Sequence, residues 1–279
     1  MASKRVVPLV LVGLLVALGA PPSTTASVSD RAKAPYAQPG PIHAGNTFDW
    51  GAKKWSYELE YGESIDPWVD FSTGTGRTAN TYAMLTLDSG ESYKARENHG
   101  TVMATLGRRG ETYGRWEIRM RAPIWPNGGT DYRMRAELIP STTAAGACSN
   151  QAITFADFQG YAPTVGLSAQ NGSQRWALTE GGVVKNRENW HTYAVEVTKK
   201  RIAWFVDADA TATLKTPKAV SGKPLTMRLS LIAPNGTEDM NRTRMGVDWI
   251  RFWSMQAKGS GAAQIQKAPS PKTAAPVTC

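Results

Sequence analysis

The 279-residue chain is short of the residues that build metal and redox centres. It has two cysteines, Cys148 and Cys279, and three histidines, His43, His99 and His191, scattered without ligand spacing. That scatter argues against a zinc site. After residue 26 no apolar run is long enough to span a bilayer, so no membrane insertion is expected once the leader is gone. Nor does any later segment hold a 3.6-residue period over ten residues, which argues against a helical core. Excess charge is also modest. Of the formal +9, several contributors (Lys4, Arg5, Lys33, Lys258, Lys267 and Lys272) are peripheral. With no basic-aromatic cluster, this balance argues against nucleic acid and leaves weak attraction to anionic cell-surface polymers.

What is present divides the chain into four parts. Residues 1–26 read as a signal peptide: Lys4-Arg5 is the positive start, Val6 to Ala20 the short apolar stretch, and Thr24-Thr25-Ala26 the small-residue cleavage site. A secreted product is therefore expected. Residues 27–45 are rich in Ala, Pro, Ser and Gly and read as a flexible linker. A domain is expected over 46–255, followed at 256–279 by an Ala/Pro/Lys tail expected to be disordered. Export permits a disulfide, and the sequence leaves open whether Cys148 meets Cys279.

The domain is a succession of short alternating segments. In Tyr113 to Pro123, Trp116, Ile118, Met120 and Ala122 alternate with Arg115, Glu117, Arg119 and Arg121, the mark of a half-buried strand. In Thr130 to Ile139, Asp131, Arg133, Arg135 and Glu137 share one face, and Tyr132, Met134, Ala136 and Leu138 the other. Gln151 to Phe158 reads as a third strand. Others are expected at Gly100–Leu106, Thr164–Ala169, Trp190–Thr198, Arg201–Asp207, Leu225–Ile232 and Gly246–Trp253. Many short strands bounded by turns predict an all-β sandwich or barrel.

Several of these segments together resemble the family 16 glycoside hydrolases, a group that includes laminarinases and other β-glucanases. Tyr113 to Pro123 is similar to the family's Y-G-x-x-E-x-R-x-x-x-P strand, and Leu138-Ile139-Pro140 falls where it has W-L-L-P. Asp157-Phe158-Gln159-Gly160 resembles the end of its E-x-D-x-x-E-x-x-G signature. Trp190 to Val197, Ile202 to Asp207 and Met245 to Phe252 resemble later strands in the family's order. The resemblance implies a two-sheet antiparallel β-sandwich, a concanavalin-like jelly roll, with a concave polysaccharide cleft. It implies a monomer that binds a β-glucan or another cell-surface glycan, and no required cofactor. Asp248 matches a position where some members hold structural calcium, an optional ion here.

The family's chemistry is retaining hydrolysis, in which two carboxyls about 5–5.5 Å apart serve as nucleophile and acid/base. A β-bulge lets residues separated by one extra position point the same way. In the register anchored on Phe158-Gln159-Gly160, the nucleophile position is Ala152, the helper position Thr154 and the acid/base position Asp157. No Asp or Glu occurs from Cys148 to Ala156, so no shift of register restores the pair. Glu137 is the candidate replacement partner for Asp157, against the plainer reading of an ion-pair network with Arg133 and Arg135. Asp131, Arg133, Arg135, Thr154 and His191 are candidate cleft residues. Trp125, Tyr161 and Trp176, read as lying on loops, are candidate stacking platforms for sugar rings. Two readings follow: a family 16-like hydrolase with an altered site, or a catalytically inactive lectin-like module.

Overall fold

The computed structural model describes residues 42–90, 100–108, 110–144, 146–160, 162–182, 188–234, 239–256, 262–265 and 267–277. The expected signal peptide and most of the linker lie outside them, as do Tyr161 and Cys279. Within them the regular structure is almost wholly strand. A short helix, α1 (Ala44–Thr47), precedes β1 (Trp55–Glu58), β2 (Trp68–Asp70), β3 (Arg77–Asn80), β4 (Leu85–Asp88) and β5 (Val102–Leu106). The long central strands β6 (Gly114–Arg121), β7 (Ile124–Trp125), β8 (Arg133–Pro140), β9 (Gln151–Gln159), β10 (Thr164–Asn171) and β11 (Gln174–Gly181) follow. Then come β12 (His191–Val197), β13 (Ile202–Val206), β14 (Asp209–Leu214), β15 (Leu225–Ile232), β16 (Arg242–Trp253) and β17 (Lys272–Ala274).

These strands make two antiparallel sheets. The nine-stranded sheet runs β14-β13-β12-β6-β16-β4-β3, with β1 and β7 also on β16. The eight-stranded sheet runs β17-β11-β10-β9-β8-β15-β5-β2. The expected alternation decides what lies between them. Trp116, Ile118 and Met120 of β6, Met134, Ala136 and Leu138 of β8, and Met227, Leu229 and Leu231 of β15 are all buried in one core. Burying one face of each sheet against the other is the sandwich solution. Gly114 opens β6 with φ +152, and a Cβ there would meet the Phe252 ring at 2.3 Å, so only glycine fits.

The other face of the nine-stranded sheet is capped by a second small core. Trp50, Phe205, Trp253, Ala44 and Ala263 are buried together, with Phe48 and Ile265 packed against them. Two buried carboxylates on that face accept hydrogen bonds from the capping segments. Glu117 accepts the backbone N–H of Ala44 at 2.6 Å and of Gly45 at 3.3 Å. Fully buried Glu196 accepts from Arg115 Nε at 2.8 Å and from the Ala263 N–H. Residues 44 and 45, read from composition as the end of a linker, are thus docked.

The 256–279 segment also departs from the expected disorder where it is described. The Pro269 carbonyl accepts the Thr213 N–H at the β14 edge. Strand β17 pairs antiparallel with β11 through Arg175↔Ala274, Trp176↔Thr273 and Ala177↔Lys272. Val277 and the Gln170 side-chain amide exchange two hydrogen bonds, each 2.9 Å. The tail therefore passes from the back of one sheet, round the edge, onto the face of the other. Composition missed it because backbone pairing holds it there, and that needs little from the side chains. Cys148 is in a disulfide.

Candidate functional site

The face of the eight-stranded sheet turned away from the core, here called the open face, is built by alternation and one irregularity. In β9, Ile153, Phe155, Ala156 and Phe158 are core residues. The register to β8 slips by one: Ala136 pairs with Ala156, but Glu137 pairs with Thr154, leaving Phe155 as the inserted residue. This is the bulge expected from the motif, and it turns Ala152, Thr154 and Asp157 to the same side. Their neighbours there are Arg133, Arg135 and Glu137 of β8, Arg228 of β15, and Ser168 and Gln170 of β10.

Asp157 and Glu137 on this face are both held by arginines. Arg133 donates from Nε to Oδ1 of Asp157 at 2.6 Å and from Nη2 to Oδ2 at 2.7 Å. Arg135 Nε donates to the same Oδ2 at 3.2 Å. The Asp157 hydrogen bonds, ahead of opposing burial, raise the Arg133 pKa. Glu137 is buried and accepts from Arg228 Nε at 2.9 Å and Nη2 at 2.8 Å. Arg228 Nη1 donates in turn to the Ala147 carbonyl at 2.6 Å, so the loop after β8 closes over this pair. The candidate pair Glu137 and Asp157 thus shares a face on adjacent strands, with each carboxyl engaged in a separate ion pair.

The other candidates divide. Thr154 is on the open face, 5 % exposed, beside Glu137, with its carbonyl accepting from Trp204 Nε1. Asp131 accepts from Asn241 Nδ2 at 2.7 Å and lies against Gly160, whose φ of +50 and lack of Cβ admit the carboxylate. Trp125 sits not on a loop but in β7, with the guanidiniums of Arg242 and Arg244 over its ring at 5.1 and 5.8 Å. Trp176 is likewise in a strand and packs toward the core, because Arg175 and Ala177 take the open side of β11. His191 is in β12 of the other sheet, its Nδ1 2.6 Å from Asp207 Oδ2, which matches the plainer reading of a structural histidine. Asp248 occupies a bulge in β16 and ion-pairs with Arg119. The Arg119 guanidinium already neutralises this carboxylate, which argues against a cation at the same oxygen.

Sequence reading passed over Arg175, Arg228 and Gln170. Arg228 had a signal, since Thr226, Arg228 and Ser230 alternate with the apolar residues of β15. Arg175 was hidden by its neighbour Trp176. Its pKa is lowered by burial first and then by Arg133, against the opposing pull of Asp157, with Arg135 adding to the lowering.

Comparison with known proteins bears on this arrangement. The profile described as "Glycosyl hydrolases family 16" matches residues 169–251. A β-glucanase from Rhodothermus marinus is 32% identical over 135 residues, covering 42% of this chain and 43% of that protein, so the match spans less than half of the relative's length. The laminarinase structure from Rhodothermus marinus superposes with a TM-score of 0.55 at 18% identity, over 72% of this chain and 96% of that one. The laminarinase catalytic domain from Thermotoga maritima MSB8 gives 0.53 at 18%, over 74% and 99%. At such identities the structural likeness speaks for the fold.

Proposed function

We propose that this chain, a glycoside hydrolase family 16-like jelly roll, is a secreted module that binds a β-linked polysaccharide on the open face without cleaving it. The observation that carries the reading is the state of the bulged triplet. Retaining hydrolysis needs a nucleophilic carboxylate and a second carboxyl about 5–5.5 Å away to move a proton. Ala152 supplies no nucleophile. Both oxygens of Asp157 already accept guanidinium N–H groups, so neither is placed to hand a proton to a leaving oxygen. The bulge that presents the triplet remains, and with it a face of polar side chains suited to sugar hydroxyls. The polysaccharide class rests on the β-glucanase and laminarinase relatives, and export rests on residues 1–26.

One observation favours a second reading, that of an altered-site hydrolase. Glu137 and Asp157 lie on one face of neighbouring strands, and an inverting pair would work at about 6.5–9.5 Å. Reducing-sugar release and retention on insoluble polymer, measured on a panel of β-glucans, separate the two. Retention without release is expected. Release that Asp157→Ala abolishes would overturn the binding-only reading.

A further inference from the structure

The charges of the open face do not balance. Arg133, Arg135, Arg175 and Arg228 stand against Asp131, Glu137 and Asp157. Arg228 and Glu137 form a closed pair under the Ala147 carbonyl. Asp131, the remaining carboxylate of this face, is bound to the Asn241 amide, which leaves Arg133, Arg135 and Arg175 with Asp157 as their one paired carboxylate. Arg133 remains accessible, its side chain 43 % exposed, although it grips Asp157. Arg175 has no carboxylate partner among the described residues, and its Nη1 meets only the neutral Ala275 carbonyl at 3.3 Å. A guanidinium carries five N–H donors in a planar fork, and the hydrogen bonds to Asp157 and Ala275 engage only some of those on these three arginines. A neutral glucan offers hydroxyls, which do not offset such an excess. A carboxylate or sulfate offers two oxygens at the spacing the fork accepts.

We propose that the polysaccharide bound on this face is acidic, and that its carboxylate or sulfate groups are received by Arg175 and Arg133, with Arg135 beside them. This rests on the binding reading above and narrows its ligand class. The tail, seated at Gln170 beside Ala152, leaves the Arg133 side as the accessible approach.

The test uses the full chain and affinity electrophoresis or calorimetry. The probes are alginate (uronate), κ-carrageenan (sulfate ester) and the neutral glucans laminarin and lichenan, each at low salt and at 0.3 M NaCl. At least one acidic polymer should bind at least tenfold tighter than the neutral ones at low salt, with the advantage shrinking as salt screens the charges. Which acidic polymer binds distinguishes carboxylate from sulfate. Arg175→Gln should cost about fivefold or more for that polymer, and Arg175→Lys should recover part of the loss. Arg121→Gln removes the same charge from beside Trp190 on the other sheet and should change nothing. Equal affinity for laminarin, or an equal loss from Arg121→Gln, overturns the acidic-ligand proposal while leaving polysaccharide binding intact. Retention of none of the four overturns the binding reading itself.

Discussion

Asp157 and Glu137 show how position and partner together decide what a carboxylate can do. Both stand on a face suited to catalysis, and both are committed to arginines. Putting a nucleophile back should therefore be insufficient. Ala152→Glu is expected to release no reducing sugar above the unmodified chain, because Asp157 stays clamped by Arg133 and Arg135. Measurable turnover in that variant would mean the clamp opens. Glu137→Gln should instead act on stability, since it strands the Arg228 guanidinium, whose side chain is only 7 % exposed. Breaking such a pair costs about 3–5 kcal/mol, readable from the midpoint of urea unfolding. At this scale the sequence was half legible. Alternation assigned Arg133, Arg135 and Glu137 to one face correctly. It could not show that Glu137 answers Arg228, because that partner is 91 residues away and meets it only through the β8–β15 pairing.

Among the elements, β6 and α1 depend on each other through Glu117. Burial pushes its pKa from 4.5 up to about 7, against the pull of the Ala44 and Gly45 N–H groups. A carboxyl raised in the folded state favours folding when protonated. Its contribution is complete below about pH 4.5 and is lost as pH rises through about 7. Glu117→Gln should flatten that part of the stability–pH curve and gain on the order of 3 kcal/mol relative to the parent above pH 7. Thermal unfolding from pH 4 to 8 checks this, and an unchanged slope would show that Glu117 does not titrate there. The strands themselves were legible, because a period of two and one buried face are written in side chains. The β9 bulge was legible only through the spacing of Ala152, Thr154 and Asp157. Strand β17 was not, because Lys272-Thr273-Ala274 borrows its order from the exposed edge of β11.

For the whole molecule, the two-layer architecture and the order of its main strands were readable in advance, and the belt formed by the last residues was not. Cys148 is held in a disulfide, so Cys148→Ser should lower stability by about 2–4 kcal/mol, the usual contribution of such a cross-link. Chemical denaturation of the variant beside the oxidised parent measures it, and identical midpoints for the two would show that the link carries no weight.

The belt also has a mechanical meaning. From Ala263 to Val277 the chain is held by a series of small attachments, on Glu196, Thr213, β11 and Gln170, met one after another along its path. A load on that end under reducing conditions would break them singly rather than shear a whole strand at once. An optical trap should record an early, low-force lengthening of about 50 Å, the reach of fifteen extended residues, before the sandwich itself gives way.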